Sequence, residues 1–164
     1  MYGIIPLMVE ILEFKAKELP LMYIEQYVDN RLEVYPDVVN EDLSVHQIWK
    51  RFTYKEMSDQ IFIIVINEHL VAWLQLNDAK GKYWFNMLVV RDKQGLGFGS
   101  QLLEHVKDKV PNLHGWVVPH NNYFLFNREP YYSPLKFYEK CGFEVNPNYQ
   151  NKNGIDVVEV TWER

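Results

Sequence analysis

Gln94-Gly95-Leu96-Gly97-Phe98-Gly99-Ser100 sets glycines at alternate positions between an apolar run and an amphipathic one. Glycine lets a backbone curl closely around a ligand with no Cβ in the way. Tyr83 to Val90, just before the glycines, reads as a strand buried on both faces. Leu102, Leu103, Val106 and Val110 follow at helical spacing until Pro111 stops the pattern. The first N–H groups of a helix lack partners, and its dipole favours negative charge there. A strand, a glycine turn and a helix start together make an anion site, and the ligand expected in it is a pyrophosphate.

Spacing sorts the phosphate ligands. A dinucleotide fingerprint needs G-x-G-x-x-G, and here the third glycine comes one residue early. A P-loop needs a Lys after its last glycine, and none follows Gly99. Gln94-x-x-Gly97-x-Gly99 resembles the coenzyme A loop of the GNAT superfamily of N-acetyltransferases, [Arg/Gln]-x-x-Gly-x-[Gly/Ala]. A strand-to-helix turn that merely needs glycine is the other reading of the same residues. Pro134-Leu135-Lys136-Phe137-Tyr138-Glu139-Lys140-Cys141-Gly142-Phe143 resembles the late helix of that family, with its Phe-Tyr pair, Glu-Lys and Gly-Phe exit. It lies downstream of the loop in the family's order, and the chain closes on an alternating strand, Ile155 to Trp162, as such domains do.

Composition is compatible with one domain over residues 1–164. The 164 residues are 48% apolar, enough for a substantial core. Aromatics at 15% suit either an aromatic-walled cleft or the core itself. A formal charge of -5 with no basic stripe argues against nucleic acid as a partner. No run approaches the ~20 apolar residues of a membrane span, so no membrane partner is expected. The N-terminus lacks a basic region and Pro6 interrupts its apolar run, which does not read as a signal peptide. A single cysteine, Cys141, excludes an internal disulfide and fits a reducing, cytoplasmic compartment. It reads as a small apolar residue at a helix end or as a thiol. The five histidines show no ligand spacing, so no metal is expected.

The elements that must position these residues read as α/β. Leu7 to Phe14 is a strand; Glu18 to Arg31 and Leu43 to Met57 are helices, the second capped by Asp42 or Ser44. Leu32 to Glu41, with Pro36, is the loop between them. Ile61 to Ile66 and Leu70 to Leu76 flank Asn67-Glu68-His69 as a hairpin. Asp78 to Gly81 is a turn, residues 99–110 a helix, and Leu113 to Val118 a strand. Ser133 caps a helix with Pro134 at its first position, and Gly142 ends it. Phe143 to Val145 and Ile155 to Trp162 are the last strands, joined by a polar loop. The order β-α-α-β-β-β-α-β-α-β-β is the one a GNAT fold would show.

The resemblance implies a mostly antiparallel mixed sheet with a V-shaped splay after the fourth strand. It implies acetyl-CoA as co-substrate, with its pyrophosphate on Gln94, Gly95, Leu96, Gly97, Phe98, Gly99 and Ser100. The pantetheine arm would pair with Leu88, Val89 and Val90, one of whose N–H groups would polarise the thioester carbonyl. Tyr138 matches the family's general acid, a phenol that protonates the departing thiolate. An aromatic on a buried helix face is its alternative reading. The activity implied is direct acetyl transfer from acetyl-CoA to a primary amine of a small molecule or peptide. A GNAT-like domain that senses an acyl-CoA or a partner without turnover stays open beside it.

No motif marks a general base; Asn86, His114, His120 and Asp78 lie near the cleft in element order, where surface or turn roles also serve. Residues 119–132 depart from the family. The position seven before the tyrosine holds Tyr131 where many members hold Asn, and the connection is long. Tyr123, Phe124, Phe126, Tyr131 and Tyr132 either wall the acceptor pocket, pack on the sheet or bury a homodimer contact. Lys93, Lys136 and Lys140 are candidates to meet phosphates or are solvated lysines. Asp29, Glu33, Asp37, Glu41 and Asp42 would favour a cationic amine, or are an ordinary exposed acidic stretch.

Overall fold

The computed structural model describes residues 9–39, 44–53 and 58–164. Its elements run β1 (Ile11–Lys15), α1 (Leu21–Val34), α2 (Val45–Thr53), β2 (Gln60–Ile66), β3 (His69–Ala79) and β4 (Lys82–Val89). They continue with α3 (Phe98–Lys107), β5 (Asn112–Val117), α4 (Leu135–Lys140), β6 (Glu144–Val145), β7 (Gln150–Lys152) and β8 (Ile155–Glu163). The strands join in the order β1-β2-β3-β4-β5-β8-β6, with β7 on β8. Among the described residues only β4 and β5 pair in parallel, so the sheet is mixed and mostly antiparallel.

Helices cover both faces because β2 and β3 carry apolar side chains at every position of their centres. Phe62, Ile64, Leu74 and Leu76 meet Leu102, Leu103 and Val106 of α3. Ile61, Ile63 and Trp73 point the other way, onto Ile24 and Tyr27 of α1 and Ile48 and Phe52 of α2. Trp73 stacks on Tyr27 with ring centroids 4.1 Å apart. Alternation at a period of two thus builds two cores from one sheet.

β4 departs from the expectation of a strand buried on both faces. Within it only Phe85 and Leu88 are buried, and Asn86 is exposed. Met87, Leu88 and Val89 at its end line a cleft instead. β4 and β5 are in register at Trp84↔His114 alone, after which β4 continues to Val89 and β5 to Val117 without another paired position. The strands start together and part, which is the splay implied by the resemblance.

Local chemistry set the helix limits. α1 starts after Pro20 rather than at Glu18, because a proline disfavours helix in the residue before it. It runs past Arg31 to Val34 and stops where Tyr35, extended at ψ 151, precedes Pro36. Ser44 caps α2: its Oγ accepts from Gln47 N–H (3.2 Å) while Gln47 Oε1 accepts from Ser44 N–H (2.8 Å). That is a reciprocal capping box. Asp42, Glu41, Leu7 and the expected helix end at Met57 lie outside the described residues. The 99–110 helix ends at Lys107, three residues early. β7 was unforeseen: Asn153-Gly154, both at positive φ, turn it back onto β8.

Gly115 of β5 faces Phe85 of β4, and a Cβ there would lie 2.9 Å from the ring. Phe85 in turn meets Tyr138 edge-on at 5.8 Å and Phe143 at 5.5 Å. Gly115→Ala should therefore cost about 1–3 kcal/mol, the usual range for overpacking, read as a lower denaturant midpoint at unchanged slope.

Candidate active site

The glycine loop folds as its sequence demands. Gly95 (φ 74) and Gly97 (φ 89) take left-handed conformations that cost other residues about 1–2 kcal/mol. No side chain caps α3, and its first bonded N–H is that of Gln101, to Gly97 O at 3.0 Å. The N–H groups of Phe98, Gly99 and Ser100 are left for an anion. Gln94 does not point outward to a ligand; its Nε2 donates back to Val89 O at 3.1 Å and closes the loop on β4. Gly99 is small for a packing reason, since a Cβ there would meet Phe137 at 3.0 Å and Val89 at 3.3 Å.

The β4 main chain forms the next wall. Val90 N–H donates to Val71 O at 2.9 Å, so the alternation of an antiparallel ladder turns Leu88 toward β3 as well. Met87 and Val89 then face the cleft. Met87 O accepts from the Tyr35 hydroxyl at 2.7 Å, and Val89 O from Gln94. Val89 N–H has no acceptor among the described residues and is the free donor of the stretch. Of the three strand residues expected there, Val89 presents its backbone, Leu88 lines the cavity and Val90 does neither.

α4 carries Tyr138 to the opposite wall. Ser133 Oγ donates to Val118 O (2.6 Å) and accepts from Leu135 N–H (3.3 Å), tying the helix start to the end of β5. Gly142 (φ 87) ends it, with Phe143 N–H bonded to Tyr138 O at 3.0 Å. Lys107, buried on α3, donates to Cys141 O and lies 5.3 Å from the Phe143 ring, so an ammonium caps the carbonyl end of α4. Tyr138 is held among Phe85, Phe137 and Phe143. Burial first, then the neighbouring Tyr131 and Cys141, push its phenol well above the usual value. Cys141 Sγ lies 3.7 Å from Ser100 Oγ and behaves as a small packed residue.

These walls enclose one cavity of about 790 Å³. Leu88, Val89, Gln94, Gly95, Gly97, Phe98, Gly99, Ser100 and Tyr138 line it; Leu96, 62% exposed, and Val90 do not. Lys93 lines it, whereas Lys136 and Lys140 are exposed elsewhere. Residues 119–132 fold as a small hairpin: Phe124 bridges Pro130, and Leu125 N–H bonds Glu129 O at 2.8 Å. Leu125 and Tyr131 are buried with Val118 and Val157. Tyr131 and Tyr132 line the cavity; Tyr123 packs on the sheet, and Phe124 and Phe126 are exposed. The aromatic loop thus divides its residues between the expected roles.

None of the four base candidates lines the cavity. His114 Nδ1 is 3.0 Å from Glu159, and His120 Nε2 is 3.5 Å from Asp156. Asp78 Oδ1 accepts from Gly81 N–H in the turn, and Asn86 is exposed. Sequence reasoning missed Tyr35 and the Arg91–Glu129 ion pair, both at the cavity and Arg91–Glu129 joining its loop wall to the hairpin. Neither has a local pattern that could have revealed it. Of the acidic stretch, Glu33 lines the cavity, and Asp37 N–H bonds Phe124 O at 2.8 Å.

A family model described as Acetyltransferase (GNAT) domain matches residues 58–145, more than half of the chain. The chain belongs to the GNAT acetyltransferase family. Solved structures of this fold include an acetyltransferase from Thermus thermophilus, 18% identical at TM-score 0.66 over 96% of this chain and 98% of that one. An aminoglycoside 6'-N-acetyltransferase complexed with coenzyme A is 14% identical at TM-score 0.68, over 94% and 96%. A spermidine N-acetyltransferase chimera from Vibrio cholerae and hSSAT is 15% identical at TM-score 0.68, over 93% and 95%. No curated protein sequence matches the chain. Likeness at these identities establishes the acyl-CoA N-acyltransferase fold, an acyltransferase architecture.

Gly97 offers a test of the GNAT loop, because a Cβ there meets nothing within 4 Å. Asn and Asp both tolerate a left-handed backbone, so Gly97→Asn and Gly97→Asp differ chiefly in charge. Calorimetric titration with coenzyme A should show the Asp variant binding roughly tenfold more weakly than the Asn variant at low salt, with the gap narrowing as salt screens the charge.

Proposed function

We propose that the chain moves an acetyl group from acetyl-CoA directly to a primary amine of a small molecule or peptide. The observation that carries this reading is the convergence on one cavity of three groups: the uncapped start of α3, the unpaired Val89 N–H and the Tyr138 phenol. Each answers a separate demand of acyl transfer from a thioester. The α3 start and Lys93 would hold the pyrophosphate. Val89 N–H would stabilise the oxyanion as the amine attacks. Tyr138 would give its proton to the sulfur as the C–S bond breaks. Holding both substrates in one cleft supplies much of the remaining rate.

Burial affects both partners of the proton transfer in the same sense. It raises the Tyr138 phenol, and it raises a thiol, ordinarily near about 8.5, placed in the same cavity. The neutral phenol and neutral thiol are both favoured over their anions. The acceptor we propose is cationic in solution. Glu33 at the cavity and the Tyr132 ring would draw an ammonium inward, which must shed a proton to water before attack.

Acetyl-CoA should raise the melting temperature where NAD and ATP do not, and thiol release should require an amine. Tyr138→Phe should keep coenzyme affinity and lower kcat about 10²-fold. Because the raised phenol stays protonated up to about pH 10, kcat should show no fall below that pH from loss of this donor. Coenzyme binding with no thiol release across an amine panel would favour the sensor reading. Absence of coenzyme binding would remove both.

A further inference from the structure

The cavity holds a second phenol that the mechanism above leaves unused. Tyr131 is 7% exposed, lines the same cavity as Tyr138, and approaches from a different element, the hairpin of residues 119–132. Its position is fixed. The Tyr131 N–H bonds Tyr123 O at 3.0 Å, and its ring packs in a cluster with Val118, Leu125 and Val157. Neither its hydroxyl nor that of Tyr138 has a hydrogen-bond partner among the described residues, and neither hydroxyl is among the side-chain atoms sealed without one. Each hydroxyl therefore keeps access to the cavity's solvent and a donor that no protein acceptor takes. Two unspent donors facing one cavity point to a ligand atom that takes both.

We infer that Tyr131 is a further catalytic residue, a hydrogen-bond donor that together with Tyr138 brackets the sulfur of the bound coenzyme. The inference rests on the acetyl-CoA reading above. The chemistry is balanced with no additional reactant. The amine nitrogen bonds to the acyl carbon, the C–S bond gives its electron pair to sulfur, and Tyr138 passes its proton to that sulfur. The proton shed by the amine goes to water, and water restores the Tyr138 phenol. Tyr131 transfers no proton; its O–H stabilises the charge on sulfur while the C–S bond is breaking.

Tyr131 adds to the cost of ionising Tyr138, and the two hydroxyls do not hydrogen-bond to one another. Both hydroxyls are therefore available to an acceptor bound in the cavity they line. A sulfur that carries charge for part of the reaction fits it. The phenol at this position replaces the amide that the family resemblance leads one to expect, and it offers a donor only as long as it stays protonated. Burial pushes Tyr131 above the usual phenol value and keeps it so.

The test reads the thiol directly, apart from turnover. Free coenzyme A carrying 13C at the carbon next to sulfur is bound to the protein, and the shift of that carbon is followed against pH. Two donors on sulfur favour the thiolate, so Tyr131→Phe should lower the bound thiolate fraction about tenfold at a given pH below the midpoint, as one hydrogen bond to an anion predicts. Tyr138→Phe should act in the same direction. With acetyl-CoA and an amine, Tyr131→Phe should lower kcat roughly 10-fold or more and leave the acetyl-CoA KM in place. A Tyr131→Phe protein that binds coenzyme A with the wild-type thiol titration overturns the inference. If wild-type protein binds no coenzyme A, it is the acetyl-CoA reading that fails. Tyr131→Leu, which removes ring and hydroxyl together, should lower the melting temperature, whereas Tyr131→Phe, keeping the ring, should not.

Discussion

β4 bonds to β3 along its whole length but to β5 at a single register position. A backbone carries a donor and an acceptor at every residue, and leaving them unpaired inside a protein is costly. Parting two neighbouring strands therefore obliges other groups to answer the exposed edge. Tyr35, from the end of α1, takes Met87 O, and Gln94, from the glycine loop, takes Val89 O. Both reach across from elements on different sides of the sheet. The site is the place where strand pairing fails and long-range partners replace it, with Val89 N–H the donor left over.

The same splay explains why the sheet needs α4 and the hairpin where they are. Without β5 beside Met87 and Val89, the cleft would open to water on that side. Ser133 anchors α4 to Val118 at the end of β5, and Lys107 caps its carbonyl end from α3. Tyr138 is thereby fixed at both ends of a helix too short to be stable alone. The Arg91–Glu129 pair bridges the glycine-loop side to the hairpin over the same opening. It is exposed and worth little to stability, so its significance is where it sits rather than how strongly it holds.

What was legible in the sequence was local. Gly95 and Gly97 take positive φ, which glycine favours, and the Ser133, Pro134 and Gly142 signals bounded a helix only six residues long. Those residues placed the glycine loop and the helix that carries Tyr138. The apolar run of β4 misled, because residues that line a ligand cleft and residues that fill a core share the same composition. Tyr35 was invisible for another reason. Its partner is Met87 O, 52 positions away, and a backbone carbonyl leaves no trace in sequence. The hairpin within residues 119–132 rests on Arg128 at φ 70, a residue type that does not announce a turn.

For a chain of formal charge -5 to accept a polyanion, as we propose, local field has to act where net attraction does not. The structure divides the cavity accordingly. At the loop end stand partial charges that need no counter-ion, the bare N–H groups of α3, with Lys93 beside them. At the other end Tyr35, Tyr131 and Tyr138 are all pushed upward by burial, so these phenols stay neutral. Such an environment favours chemistry in which the groups that enter and leave are neutral and charge exists only in passing. It also places the cost of that charge on the few donors that point inward. Val89 N–H can meet charge on oxygen, and phenols can meet charge on sulfur. A cavity able to hold a ground-state anion at its reacting end would bind the product thiolate too well and release it slowly. Burial around the tyrosine rings keeps a lasting anion expensive, and a phenol's hydrogen bond would lower that cost only in part.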